Sequence, residues 1–590
     1  MFIIRLFACL VFMLAAASTV AQGYLRASDK KIVNDKGEII LRGIGLGGWM
    51  LQEPYMLKLQ GVAMAQHEIK KKINALIGDA NTKKFYKAWL SNHCTKADID
   101  SLAAWGFNSV RLPMHYNLYT LPVEEEKNGK NTWLSKGFAL TDSLLNWCKA
   151  NHIYLILDLH AAPGGQGNDN AISDRDTLKP SLWQSEANKK KMIALWEKLA
   201  TRYANETWIG GYDILNEPNW GFQNANDRNG CDETGNIPLK QLYKDITETI
   251  RKVDKKHIII IEGNCWGNNY NGIFPLWDNN MVMSFHKYWN ANDKAAIEKY
   301  LGYREKYNVP IWLGETGENS NSWFTDAIEL VEANNIGWNM WPLKKAGLNN
   351  PLQIKINAGF QDIIDYWNGK APKPSTETAF KSLMEFAANT KLQNNVAQRG
   401  VINAMIRQHK TEDAIPFKEN IIKPNAIIFA ADYDIGRSDI AYHDTDSADY
   451  WVTTSNRTKW NEGGKYRNDG VDIEICKDVT SNGFNIGWTT DGEWTQYSLY
   501  ANEDATYDVN IRFAAEIKTG QIKLLINDNS SSEITDLPPT GNTQKWQTTT
   551  IKGIKFSKGW NRLRVLSVKG GFNLNYLQFK STDSSALKTN

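Results

Sequence analysis

Two short phrases in this chain could break a bond: Asn216-Glu217-Pro218 and Leu313-Gly314-Glu315, each placing a glutamate at the end of an apolar run. Two carboxylates converging on one bond can divide the labour. One passes a proton as acid and then base, and the other attacks as nucleophile. Arg111, His160, Asn216, His286, Tyr288 and Trp341 stand at or beside the ends of similar runs, and Glu262 is a third acidic residue so placed. A single terminal glutamate is often a structural ion pair. Two of them, accompanied by histidine, arginine, asparagine, tyrosine and tryptophan at equivalent positions, form a constellation. His160 and His286 lack HxH or HExxH spacing, so no metal is expected, and no GxSxG elbow points to a serine nucleophile.

Eight runs carry these residues, at 38–43, 107–112, 153–159, 212–216, 257–262, 281–285, 310–314 and 337–341. They are continuously apolar instead of alternating, which marks strands covered on both faces of a parallel sheet. Amphipathic stretches at 140–150, 188–203 and 238–253 lie between them. Eight such repeats predict an α/β fold, a (β/α)8 TIM barrel whose functional side chains gather at the carboxyl ends of the strands. Glu217 and Glu315 then face each other across the barrel mouth. A retaining glycosidase needs such a pair about 5 Å apart, one kept protonated by its surroundings. Glu262 is given a supporting or sugar-contacting role. The glycine-rich run Gly43–Gly48 leads into Trp49 and Pro54 instead of a helix start, so it is not read as a nucleotide loop.

Composition narrows the partners. Lys+Arg 68 against Asp+Glu 65 leaves a net charge of +3, too little for a polyphosphate or membrane-surface partner, so neither nucleic acid nor membrane is expected. The 23 Trp and 23 Tyr suit a flat-faced, uncharged ligand, although core packing accounts for most of them. Residues 1–21 have the pattern of a secretory signal peptide, with cleavage expected before Gln22 and residence outside the cytoplasm, extracellular or periplasmic. Removing them leaves five cysteines, hence at least one unpaired thiol. The expected domains are a barrel at 22–392, a linker at 393–424 and, at 425–582, an all-β sandwich (jelly roll) of short strands separated by turns. A monomer is expected.

Several phrases together resemble glycoside hydrolase family 5. They are Arg42–Trp49, Leu157–Gln166, Asp213–Pro218, Ser284–Tyr288 and Leu313–Gly317, and the first two resemble its exo-β-1,3-glucanase branch. The resemblance implies Glu217 as acid/base and Glu315 as nucleophile. Arg111, His160, Asn216, His286, Tyr288 and Trp341 would be their supporting, substrate-binding residues, and no cofactor would be needed. The C-terminal phrases Lys465–Ile473, Asp491–Trp494 and Gly571–Tyr576 resemble a family 6 carbohydrate-binding module. That implies Tyr466 and Trp546 sandwiching a sugar hydrogen-bonded by Asn573. The calcium-holding glutamates of that family are replaced by Phe429 and Ala431, so again no metal is expected. The expected function is retaining hydrolysis of a polysaccharide, a β-1,3- or β-1,4-linked glucan. The alternatives are β-mannan hydrolysis and a non-catalytic polysaccharide-binding protein.

Overall fold

The computed structural model describes residues 23–127, 129–224, 226–445, 460–528 and 530–582; the expected signal segment lies outside the described residues. Eight parallel strands close into a barrel: β1 (Arg42–Gly45), β2 (Ser109–His115), β3 (Tyr154–Ala161), β4 (Ile209–Asp213), β5 (Ile259–Glu262), β6 (Met281–Lys287), β7 (Ile311–Gly317) and β8 (Gly337–Trp341). They neighbour one another in chain order, and β8 closes onto β1. Every residue of β2, β3, β6, β7 and β8 is buried, which is why those runs show no alternation.

The helices follow from their spacing. In α3 (Ile237–Val253), after α1 (Ser135–Ala150) and α2 (Glu186–Tyr203), the buried Leu239, Leu242, Tyr243, Ile246 and Ile250 recur every three or four residues. Pro238 occupies the first turn, where its missing N–H is no loss, while Arg251 and Lys252 meet the negative end of the helix dipole. Each buried aliphatic side chain stabilises the packing against α2 by roughly 1.5–3 kcal/mol, so Ile246→Asp would unseat the helix.

Two strands lie elsewhere than their apolar runs suggest. The run at 38–43 serves two sheets, because Glu38 pairs with Val33 in a small N-terminal sheet while β1 starts at Arg42. β4 begins three residues before the expected start and ends at Asp213, so Asn216 and Glu217 belong to the loop after it. Gly210 and Gly211 hide this strand in the sequence. Gly211 is needed because a Cβ there would come within 2.6 Å of Ile258.

The C-terminal region is a sandwich of two largely antiparallel sheets. Its long strands, Trp494–Ala501, Ala505–Ala515, Gly520–Ile526, Gln547–Phe556, Gly559–Lys569 and Phe572–Ser581, alternate between the sheets in chain order and enclose a second core. The stretch 393–424 is structured. Its α-helix (Arg399–Ile406) buries Val401, Ala404 and Met405 against the barrel helix Asn321–Ala333, and Ile421–Ile422 joins the sandwich.

Candidate active site

The site is built from the carboxyl ends of the barrel strands. A bulge between Leu313 and Glu315 brings Glu315 into register with His286 on β6. Gly314 makes this possible, since a Cβ there would lie 2.0 Å from Ser284 Oγ. The Gly43–Gly48 run has a similar steric purpose. A Cβ on Gly45 or Gly47 would fall 2.4 or 2.8 Å from the Trp341 ring, so these glycines clear the space in which that indole sits. Glu217 holds a positive φ of 41°, an uncommon backbone for a residue with a Cβ. Its own N–H donates to Glu262 Oε2 (2.7 Å), and Asn219 Nδ2 donates to its carbonyl (2.9 Å), pinning the turn.

Glu315 accepts from Arg111 Nη1 at 2.7 Å on one oxygen and from the Tyr288 hydroxyl at 2.6 Å on the other. Glu217 Oε1 lies 2.6 Å from His286 Nδ1, and His286 Nε2 lies 3.2 Å from Glu262 Oε1. A carboxylate oxygen of Glu217 and one of Glu315 are within 4.8 Å of each other. Burial pushes the Glu217 carboxyl up to about 7; the His286 hydrogen bond resists this and the charges of Glu315 and Glu262 reinforce it. Burial opposes charging of His286, yet Glu262, Glu315 and its hydrogen bonds hold its pKa well above the usual value. Glu217, His286 and Glu315 also have the spacing of a three-ligand metal site. His286 Nδ1 is already engaged with the Glu217 carboxylate at 2.6 Å.

His160 is held neutral by burial, with a pKa down at about 3; Nδ1 meets Asp158 at 2.7 Å and its ring stacks on Trp341 at 5.0 Å. Arg111 and Asn216 are fully buried behind these groups. Arg111 Nη2 donates to Asn216 Oδ1 (2.8 Å) and Glu262 Oε1 (2.9 Å), and Asn216 Nδ2 faces His160 Nε2 at 3.2 Å. Glu217, Glu315, His160, His286, Tyr288 and Trp341 line one cavity of about 980 Å³, within the range of ligand sites. The same cavity includes Glu53, Tyr55, Trp266 and Trp289, which the sequence reading did not single out. Each follows the end of a barrel strand, and placing β1 at Arg42–Gly45 would have directed attention to Glu53. A disulfide between Cys231 and Cys265 ties the loops after β4 and β5 together beside this cavity; Cys94, Cys148 and Cys476 are buried free thiols.

The three sandwich residues are not brought together. Tyr466 stacks on Phe484 (4.4 Å) and lines a cavity of about 930 Å³ facing the barrel. Asn573 lines a different cavity with Trp488 and donates to Glu474 Oε1 (2.5 Å) and Thr543 O (3.0 Å). Trp546 lines neither, and its buried Nε1 finds no hydrogen-bond partner among the described residues.

Residues 70–347 match the family model described as Cellulase (glycosyl hydrolase family 5), and 467–579 match Carbohydrate binding module (family 35). The chain is 28% identical over 379 residues to a Beta-xylosidase of Phanerodontia chrysosporium, an alignment covering 58% of this chain and 75% of that protein. It is 24% identical over 327 residues to Endoglucanase C of Acetivibrio thermocellus (44% and 87%). It is 26% identical over 287 residues to a Probable glucan 1,3-beta-glucosidase A of Aspergillus niger (48% and 63%). The family 35 match corrects the family 6 expectation. Much of the motif that suggested family 6 is buried framework: Arg467, for example, is buried and binds the carbonyls of Tyr433 and Asp434. The barrel is thus a glycosyl hydrolase family 5 domain, making this chain a glycoside hydrolase with a carbohydrate-binding module behind it.

Proposed function

We propose that the protein is a retaining β-glucan hydrolase in which Glu217 is the acid/base and Glu315 the nucleophile. The observation that carries this reading is the pair of carboxylate oxygens within 4.8 Å, close to the retaining spacing and short of the roughly 6.5–9.5 Å that inversion requires. In the first step a Glu315 oxygen bonds to the anomeric carbon while Glu217 gives its proton to the departing glycosidic oxygen. A glycosyl-enzyme ester results. In the second step Glu217, now a carboxylate, takes a proton from water as that water bonds to the anomeric carbon and Glu315 leaves. Arg111 and Tyr288 hold both Glu315 oxygens in place, and Trp341 offers a flat apolar face to a sugar ring.

A glucan substrate is supported by the names of the endoglucanase and glucan glucosidase relatives, whereas the β-xylosidase relative favours a xylan as the second reading. The Cys231–Cys265 bond supports residence in an oxidising compartment, in keeping with export. The test is reducing-sugar release from laminarin, lichenan, carboxymethylcellulose, mannan and xylan, with the first-formed anomer followed by NMR. Release from a glucan with a β product is expected. Release from mannan or xylan alone would overturn the glucan assignment, and an α product would overturn retention.

A further inference from the structure

The sandwich is anchored to the very loop that leaves Glu315. Two residues after β7 ends at Gly317, Asn319 accepts through its carbonyl from Asn468 Nδ2 of the sandwich at 2.9 Å. The same amide donates to Asn321 Oδ1 (3.0 Å), the Asn321 N–H donates to Asn468 O (3.1 Å), and Asn321 Nδ2 donates to Asp469 Oδ1 (2.6 Å). Asn321, Asn468 and Asp469 are all buried, so these bonds are sheltered from water and fix the orientation of one domain on the other. A second tether joins Arg437 of the sandwich to Glu329 of the barrel at 2.6 Å.

This docking sets two cavities side by side. The catalytic cavity of about 980 Å³ and the interdomain cavity of about 930 Å³ share four lining residues: Tyr55, Lys345 and Asn349 of the barrel, and Trp460 of the sandwich. Tyr55 in turn accepts from Trp341 Nε1 at 3.0 Å, so the junction is in direct contact with the indole lining the catalytic cavity. Beyond the junction the interdomain cavity is lined by Tyr466 and Phe484 of the sandwich and by Gln353 and Gln398 of the barrel, together with the cationic Lys58, Lys465 and Arg399. Aromatic rings together with amide and cationic donors suit a sugar chain, which needs apolar contact for its rings and hydrogen bonds for its hydroxyls.

We propose that the two cavities form one substrate channel, and that Trp460 makes the carbohydrate-binding module a wall of the active-site cleft. The module then acts as an extension of the enzyme's own binding subsites, and Trp460 sets a preference for long chains. This rests on the glycan-hydrolase reading above.

The test uses the two-domain chain and its Trp460→Ala and Trp460→Phe variants. Substrates are an aryl glycoside of one sugar and an oligosaccharide series of the polysaccharide that the wild type cleaves. Trp460→Ala should lower kcat/KM about tenfold more on the longest oligosaccharides than on the aryl glycoside; Trp460→Phe should recover most of that length-dependent loss. An unaltered length dependence in Trp460→Ala, or an equal loss on every substrate, would overturn the channel. Failure of the wild type to cleave any polysaccharide would instead sink the functional reading. Calorimetry of gluco- and xylo-oligosaccharides on Glu217→Gln proteins with and without Trp460→Ala reads the channel without turnover. Affinity that rises with chain length only when Trp460 is present is the expected result; its absence counts against the proposal.

Discussion

Arg111 is fully buried and within 3.2 Å of four carboxylates: Asp158, Asp213, Glu262 and Glu315. Burial pushes Asp158 and Asp213 well up, and Arg111 opposes that rise in both. Removing the guanidinium leaves the carboxylates without their common counter-ion. Arg111→Met should therefore destabilise the protein by about 3–5 kcal/mol in urea titrations, and a loss under about 1 kcal/mol would show that the cluster does not depend on its charge. Glu217 sets a second expectation. The acid form that protonates a leaving group exists below about 7, so kcat/KM on natural glycans should fall as pH rises through about 7. Glu217→Ala should abolish that limb and spare substrates with activated leaving groups, and added azide should restore turnover as a β-glycosyl azide. An equal loss on all substrates without azide rescue would remove Glu217 from the acid/base role. Because the His286 hydrogen bond lowers the Glu217 pKa, His286→Phe should move the same limb to higher pH, as read in the profile of whatever activity remains.

At the scale of elements, chemistry depends on clearance as much as on functional groups. The bulge in β7 aims Glu315 at the cavity, and it exists because position 314 has no side chain. Gly314→Ala would drive its Cβ into Ser284 Oγ, and overpacking of this kind costs about 1–3 kcal/mol. The variant should melt lower and lose activity through displacement of Glu315. Adding Ser284→Gly should restore part of both, and a double variant no better than the single one would locate the strain elsewhere. The same argument explains the glycine-rich run after β1, whose bare backbone accommodates the Trp341 ring.

For the whole molecule, the two cores are joined by buried amide bonds around Asn468. Truncating Asn468 to Ala leaves the Asn319 carbonyl and the Asn321 side chain short of a donor, a loss of about 1–3 kcal/mol for buried polar groups. Differential scanning calorimetry should show one coupled transition for the wild type and two separated ones for Asn468→Ala. Two transitions already in the wild type would mean that the domains unfold independently despite the interface.

The residue string by itself determined the barrel, the sandwich and the two glutamates at the carboxyl side of the barrel, one on β7 and one in the loop after β4, because strand periodicity is a local property of neighbours in the chain. Helix limits were legible in part: α3 at Ile237–Val253 lies within one residue of its apolar repeat, whereas α1 starts at Ser135, five residues before the expected stretch. Strand β4 was misplaced because its glycines are explained by a neighbouring strand, not by the strand's own sequence. Tertiary structure alone decided which groups meet. Arg111 and Glu315 touch across 204 residues of chain, Glu217 and His286 across 69, and Asn468 and Asn321 across 147. The raised pKa of Glu217, the pairing of Cys231 with Cys265 and the shared wall at Trp460 all follow from such contacts. Burial and electric fields are set by everything nearby in space, and only the closed fold specifies what is near.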